Sequence, residues 1–224
     1  MHIVLLILLM IVSGIHLYHS WIDDFQKRRY TKPLLMPMII LYYGVAVGFE
    51  NVNLLLLCAF ITSWIGDILL IPRGNKWFVM GGCSFLISHL LLMALFATQS
   101  HVDWNFWPCL LLAAVVYYGI AVVLVVRLWE HMPKKMGPLM GIYMLTNGTM
   151  NMFALAHLLA VPGVGSAFMY AGALLFFFSD CVLGIVRFTP GGGAVFKRHF
   201  TVMLTYILSQ VFLVQGMIFL GIGK

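Results

Sequence analysis

Apolar runs of roughly twenty residues recur along the whole chain, broken by short stretches that hold charges, prolines or glycines. A helix needs about 20 apolar residues to cross the hydrocarbon core of a bilayer. On that measure the pattern predicts eight helices, over residues 2–19, 33–49, 52–71, 77–98, 105–126, 137–160, 165–186 and 200–222. The fold class expected is therefore all-α, a polytopic bundle of eight transmembrane helices in one domain, residues 1–224. Its loops are too short to fold alone, so function has to lie within the bundle or at its rim. Thr31 and Pro33 read as the start of the second helix, because a hydroxyl can cap free N–H groups and a proline ring fits the first turn. Pro138 gives the same signal for the sixth. The N-terminal run has neither a basic leading segment nor a small-residue cleavage site, and reads as a first span and not a removed signal.

Composition narrows the class. With 62% hydrophobic and 9% charged residues, and a mean hydropathy of +1.01, neither a soluble domain nor a disordered chain fits. The net charge of +6 does not point to nucleic acid, since the basic residues fall in short connectors and not on one polar face. Lys27, Arg28, Arg29 and Lys32, then Arg73 and Lys76, then Arg127, Lys134 and Lys135, then Arg187, Lys197 and Arg198 all fall on one side of an eight-span chain. Lys224 alone falls on the other. The positive-inside rule puts the four basic connectors in the cytoplasm and both termini outside, periplasmic if the membrane is a bacterial inner one. Cys58, Cys83, Cys109 and Cys181 occur singly and read as small buried apolar side chains. The glycines of residues 189–194 read as a flexible cytoplasmic loop.

Five of the seven acidic residues, Asp23, Asp24, Glu50, Asp103 and Glu130, fall in connectors or at span ends, which leaves Asp67 and Asp180 inside. An ionisable group in a span costs at least a few kcal/mol and is read by default as functional. At 1.5 Å per residue the two lie ~6 and ~9 Å below the cytoplasmic boundary, in one leaflet. Their separation is near half the chain, as a parallel four-plus-four repeat would give. Polar groups gather in other spans: Ser84 and His89 in the fourth, Tyr143, Thr146, Asn147, Thr149 and Asn151 in the sixth, Tyr206, Ser209, Gln210 and Gln215 in the eighth. They should face a bundle interior or a wet cavity, not lipid. Thr146, Ser209 and Gln215 read as helix–helix hydrogen bonds, and His16, His19 and His157 as interfacial. His89 is the only deep histidine, so no metal site is expected.

Several short patterns occur in order from about residue 27 to the end of the eighth span: TKP (Thr31, Lys32, Pro33), GD (Gly66, Asp67), Phe78, Gly81, Phe85 and His89 at fixed spacing, Gly172, Ala173, Phe176, Ser179 and Asp180, then Arg187–Phe188, and Tyr206 with Gln210. Together they resemble the YhhN-like lysoplasmalogenase family. The chain departs from that pattern at Leu92, where a tyrosine is expected, and in the more polar stretch 146–153. The resemblance implies an eight-span enzyme that hydrolyses the vinyl ether bond of a lysophospholipid, an alkenyl-glycerophosphocholine or -ethanolamine, with Asp67 and Asp180 as the key carboxylates. Its partners would be that substrate and the surrounding lipid, with no nucleic acid and no obligate protein partner.

The chemistry suits the residues. An enol ether opens when a proton reaches its β-carbon, so the site needs a proton donor and a nearby negative charge, and no redox cofactor. Two carboxyl groups close together in low dielectric do not both ionise easily, so one keeps its proton while the other stays charged, as in two-carboxylate glycoside hydrolysis. Either Asp67 or Asp180 could be the acid. Tyr143, Asn147, Tyr206, Gln210 and His89 are candidates for positioning water or substrate. Lys32 at the cytoplasmic lip, with Arg187 and Arg73 in reserve, could meet the phosphate. Two other readings of an intramembrane aspartate pair are a small-molecule or proton-coupled transporter and an aspartyl protease. The second would need a GxGD stretch and a Pro-Ala-Leu turn, neither of which occurs.

Overall fold

The computed structural model, which describes residues 2–100 and 106–221, contains eight α-helices among those residues: α1 (His2–Trp21), α2 (Phe25–Val47), α3 (Leu54–Leu69), α4 (Asn75–Gln99), α5 (Trp107–Leu128), α6 (Met136–Ala160), α7 (Val164–Phe188) and α8 (Arg198–Leu220). Six of them, α1, α2, α4, α5, α7 and α8, are long and apolar enough to cross a membrane. The chain is a membrane protein. At 16 residues α3 is shorter, and the apolar run of α6 is broken by Thr146, Asn147, Thr149 and Asn151. Residue 105 at the predicted start of the fifth span, residue 222 at the end of the eighth, and the readings of Asp103 and Lys224 lie outside the described residues.

The second helix corrects the sequence reading. Its cap is Asp24, whose side chain accepts a hydrogen bond from the Lys27 N–H, so the helix starts at Phe25 and not at Pro33. That bond holds the Asp24 carboxyl below the usual carboxylate range. Thr31 and both prolines then lie inside the helix. Pro37 has no N–H to give the carbonyl of Pro33 one turn earlier, and an unpaired carbonyl at membrane depth is costly. The indole Nε1 of Trp64 on α3 donates to that oxygen at 2.8 Å, which turns the defect into a tie between helices.

Consecutive helices pack against one another except α4 and α5, while α4 lies against α6, and α1 and α2 lie against α8. Small residues set the closest approaches, as expected where no hydrophobic force drives helices together in lipid. A Cβ on Gly216 of α8 would stand 2.6 Å from the Gly165 oxygen of α7, and one on Gly172 would stand 2.9 Å from the Ser209 oxygen. Between α3 and α4, Gly66 and Gly81 do the same: a Cβ on Gly81 would stand 3.3 Å from the Gly66 oxygen.

Two further readings need correcting. Cys58, Cys83 and Cys109 are exposed and Cys181 half-buried, because a lipid-facing surface accepts a small apolar side chain as readily as a core does. His16 and His157 are buried, not interfacial: His16 bonds Thr31 Oγ through Nδ1 at 2.7 Å, and His157 lies against Phe96.

Candidate functional site

Asp67 lies near the end of α3, where Gly66 lets the Phe85 ring of α4 come within 2.7 Å of the place a Cβ would take. The carboxylate is 2% exposed. Lys32 Nζ on α2 is 3.2 Å from one of its oxygens, and the hydroxyl of Tyr206 on α8 donates to the other at 2.7 Å. Both oxygens of Asp67 are thus engaged, one of them by a cation.

Asp180 lies two turns before the end of α7 and is held differently. The Tyr143 hydroxyl donates to its Oδ2 at 2.6 Å, and the Asn147 amide donates to the same oxygen at 2.8 Å, both from α6. Asn151 donates to the Asn147 side-chain oxygen at 3.2 Å, which fixes the amide so that its NH2 faces the carboxyl group. His89 Nε2 on α4 is 3.5 Å from Oδ2, and neither ring nitrogen has a hydrogen-bond partner among the described residues. Oδ1 of Asp180 likewise takes no hydrogen bond from a described residue. No cation of a Lys or Arg is within ion-pair distance of Asp180 among those residues.

The two carboxyl groups are not bonded to each other. Aromatic rings join their surroundings: Tyr206 packs edge-on against Phe85 and Phe176 with centroids 5.9 and 5.7 Å apart, and Phe176 meets the His89 ring at 4.7 Å. The sequence-predicted residues Lys32, Asp67 and Tyr206 therefore form one cluster, and His89, Tyr143, Asn147 and Asp180 form a second beside it. Among the described residues, no three of His, Cys, Asp and Glu converge as a metal ion would require.

Two cavities flank the clusters. One, about 100 Å³, runs between α4, α6 and α7 and is apolar except at its inner end, where Asp180 and Tyr143 line it. Its rim carries Cys83, Leu139 and Ile142, all exposed on the outer face of the bundle, so it opens toward lipid. The other, about 320 Å³, lies at the end of the bundle where α2 and α8 begin and α3 and α7 finish, and it is strongly basic. Leu70, Phe78 and Leu183 line both, so the two cavities are neighbours that share these side chains as a common wall.

Three candidates have other places. Gln210 is buried one turn beyond Tyr206 with no partner for either amide atom among the described residues, and lines neither cavity. Arg73 packs over the Phe25 ring at 4.8 Å and also lines neither. Arg187 lines the basic cavity, where it donates to Asn75 at 2.9 Å and lies over Phe78. The sequence reading missed Arg28, Arg198 and His16, which line that same cavity; as separate connector charges and a histidine in the first span they carry no shared spacing.

A family model described as the YhhN family matches residues 27–217. No curated protein and no solved structure matches the chain.

Proposed function

The chain belongs to the YhhN family, and we propose that it is a lysoplasmalogenase-like hydrolase, cleaving the vinyl ether bond of an alkenyl lysophospholipid. The observation that carries this reading is the contrast between the two aspartates. Asp180 ends an apolar slot open to lipid and is held by neutral donors, while Asp67 is neutralised by Lys32.

Asp180 is then the acid. Its proton passes from Oδ1 to the β-carbon of the alkene, whose π electrons form the new C–H bond, and positive charge develops on the α-carbon and ether oxygen. The carboxylate left behind faces that cation and stabilises it. A water held at the unpartnered His89 ring adds to the α-carbon and gives its proton back to Asp180. The hemiacetal collapses as the bond to the glycerol oxygen breaks and that oxygen takes the hydroxyl proton, giving an aldehyde and a glycerophospho-alcohol. One water is consumed and the acid is restored. Tyr143 and Asn147 hold the carboxyl group in place, and Asp67 with Lys32 anchors Tyr206.

In this reading all eight helices lie in the membrane, α3 and α6 shielded by the others, with the basic connectors cytoplasmic and both termini outside. The four-plus-four repeat belongs to it too. Asp67 on α3 takes its partners from α2 and α8, and Asp180 on α7 takes its partners from α6 and α4, which are the equivalent helices in the other half.

The test is aldehyde release by detergent-purified protein from a vinyl-ether lysolipid and from its saturated ether analogue. Cleavage of the first alone is expected, with Asp180→Asn inactive yet extractable and folded. Undiminished turnover by Asp180→Asn would remove the proposal.

A further inference from the structure

The basic cavity is more than a set of loop charges. Arg28, Arg29, Lys32, Arg187 and Arg198 line it together with His199, and among the described residues no acidic one does. The acids nearby are already engaged: Asp67 with Lys32 at 3.2 Å, Asp24 with the Lys27 N–H, and Asp23 with Arg28 at 2.8 Å and with His199 at 3.6 Å. Arg29, Arg187 and Arg198 have no ion-pair partner among the described residues, so the cavity holds an excess of positive charge.

A second observation is independent of that count. His16, 1% exposed, lines the cavity with its Nε2 buried and unpartnered among the described residues, while its Nδ1 is bonded to Thr31. Arg28 too has a buried Nε without a partner among the described residues. Unpaired polar atoms of this kind are costly, and a ligand that accepts hydrogen bonds relieves the cost at Arg28 Nε, and at His16 Nε2 in the tautomer in which Thr31 donates to Nδ1. Cations placed only by the positive-inside rule would point to water and bury nothing. The backbone also shapes the wall: Gly192, at φ +78°, leaves room for the Arg198 side chain to lie across it, and any Cβ there would collide with that side chain.

We propose that this cavity binds the phosphate of the lipid whose alkenyl chain lies in the apolar slot, with Arg28, Arg29, Arg198 and His16 as its binding residues. It rests on the vinyl-ether reading for the identity of the lipid. Guanidinium groups suit a phosphate diester, since they can meet two of its oxygens at once. Adjacency of the two cavities across the shared side chains of Leu70, Phe78 and Leu183 favours a lipid over a free anion: with a phosphate in one and a chain in the other, the glycerol lies at that shared wall and the ether bond beside Asp180. Lys32, foreseen as the phosphate contact, is tied to Asp67 and forms the cavity's inner wall.

The experiment measures binding, so it does not need turnover. Four probes are titrated into the purified protein and the variant Arg29→Gln/Arg198→Gln: the saturated ether lysophospholipid, the alkylglycerol of the same chain without phosphate, the water-soluble glycerophosphodiester, and inorganic phosphate. The lysophospholipid should bind at least tenfold more weakly to the variant, and the alkylglycerol equally to both. The glycerophosphodiester should compete with the lysophospholipid. Arg29→Lys/Arg198→Lys should recover part of the loss. Unchanged lysophospholipid binding overturns the proposal, and so does an equal loss for the alkylglycerol, which would mean a structural defect. If inorganic phosphate alone is weakened, the cavity serves a free anion and the lipid assignment fails. Arginine-dependent lysophospholipid binding without vinyl-ether cleavage would sink the proposed reaction and leave this site standing; cleavage without arginine dependence would do the reverse.

Discussion

Lys32 and Asp67 offer the sharpest energetic test. At 3.2 Å and an effective dielectric of about 20, their attraction is about 5 kcal/mol. Replacing Lys32 by Met leaves the carboxyl group buried without its cation. If it takes up a proton instead, the cost at pH 7 is at most about 4 kcal/mol, from an ordinary aspartate value near 3.9 and about 1.4 kcal/mol per unit. Breaking a buried pair by removing one partner typically costs about 3–5 kcal/mol, so the bounds agree. Lys32→Met should therefore lose about 3–4 kcal/mol in a reversible unfolding titration in mixed micelles, while Lys32→Met with Asp67→Asn should recover most of it. The sign of the pH effect follows. Folding of Lys32→Met takes up a proton that the unfolded chain has lost above about pH 4, so its deficit should shrink by about 1.4 kcal/mol for each unit the pH is lowered from 7. Single and double effects that add to within about 0.5 kcal/mol would show that the two groups do not interact.

Other variants probe the slot and its frame. Gly82 lines the slot and has open space where a Cβ would stand, so Gly82→Phe should leave folding intact and shift preference toward shorter alkenyl chains, read as relative kcat/KM across a chain-length series. A methyl at Gly66 would meet the Phe85 ring at 2.7 Å, so Gly66→Ala should cost about 1–3 kcal/mol in the same unfolding titration and weaken activity through displaced Tyr206. Gly216→Val should prevent α7 and α8 from closing on the Gly165 oxygen and lower the thermal midpoint more than Gly82→Phe does.

Much of the fold was legible because in lipid the apolar pattern and the helix are nearly the same statement. Most helix ends lie within two or three residues of the expectation. The second helix failed because two prolines look like a start, whereas Trp64, thirty-one positions on, repairs the carbonyl they leave bare. The aspartates were legible as costly residues, and the tyrosines and Asn147 as polar groups that lipid would reject. Partnership was not legible: nothing in spacing assigns Lys32 and Tyr206 to Asp67, or His89 and Tyr143 to Asp180. Nor does it show that Gln210, on nearly the same helix face as Tyr206 but one turn further along, lines neither cavity, since the extent of a cavity along a helix is invisible in composition. The basic cavity escaped notice for the same reason, its charges being scattered over connectors that only the closed bundle brings to one wall.

The crossed partnership of the aspartates reaches into how the protein could have arisen. Cut after α4, the first four helices would keep Asp67 and Lys32 but lose Tyr206, and the last four would keep Asp180, Tyr143 and Asn147 but lose His89. Neither fragment holds a finished carboxyl site, so the two should be inert when made separately and regain turnover when produced in the same cell. An ancestral half-length gene with this arrangement would have needed a companion copy from the outset, each lending a side chain to the other.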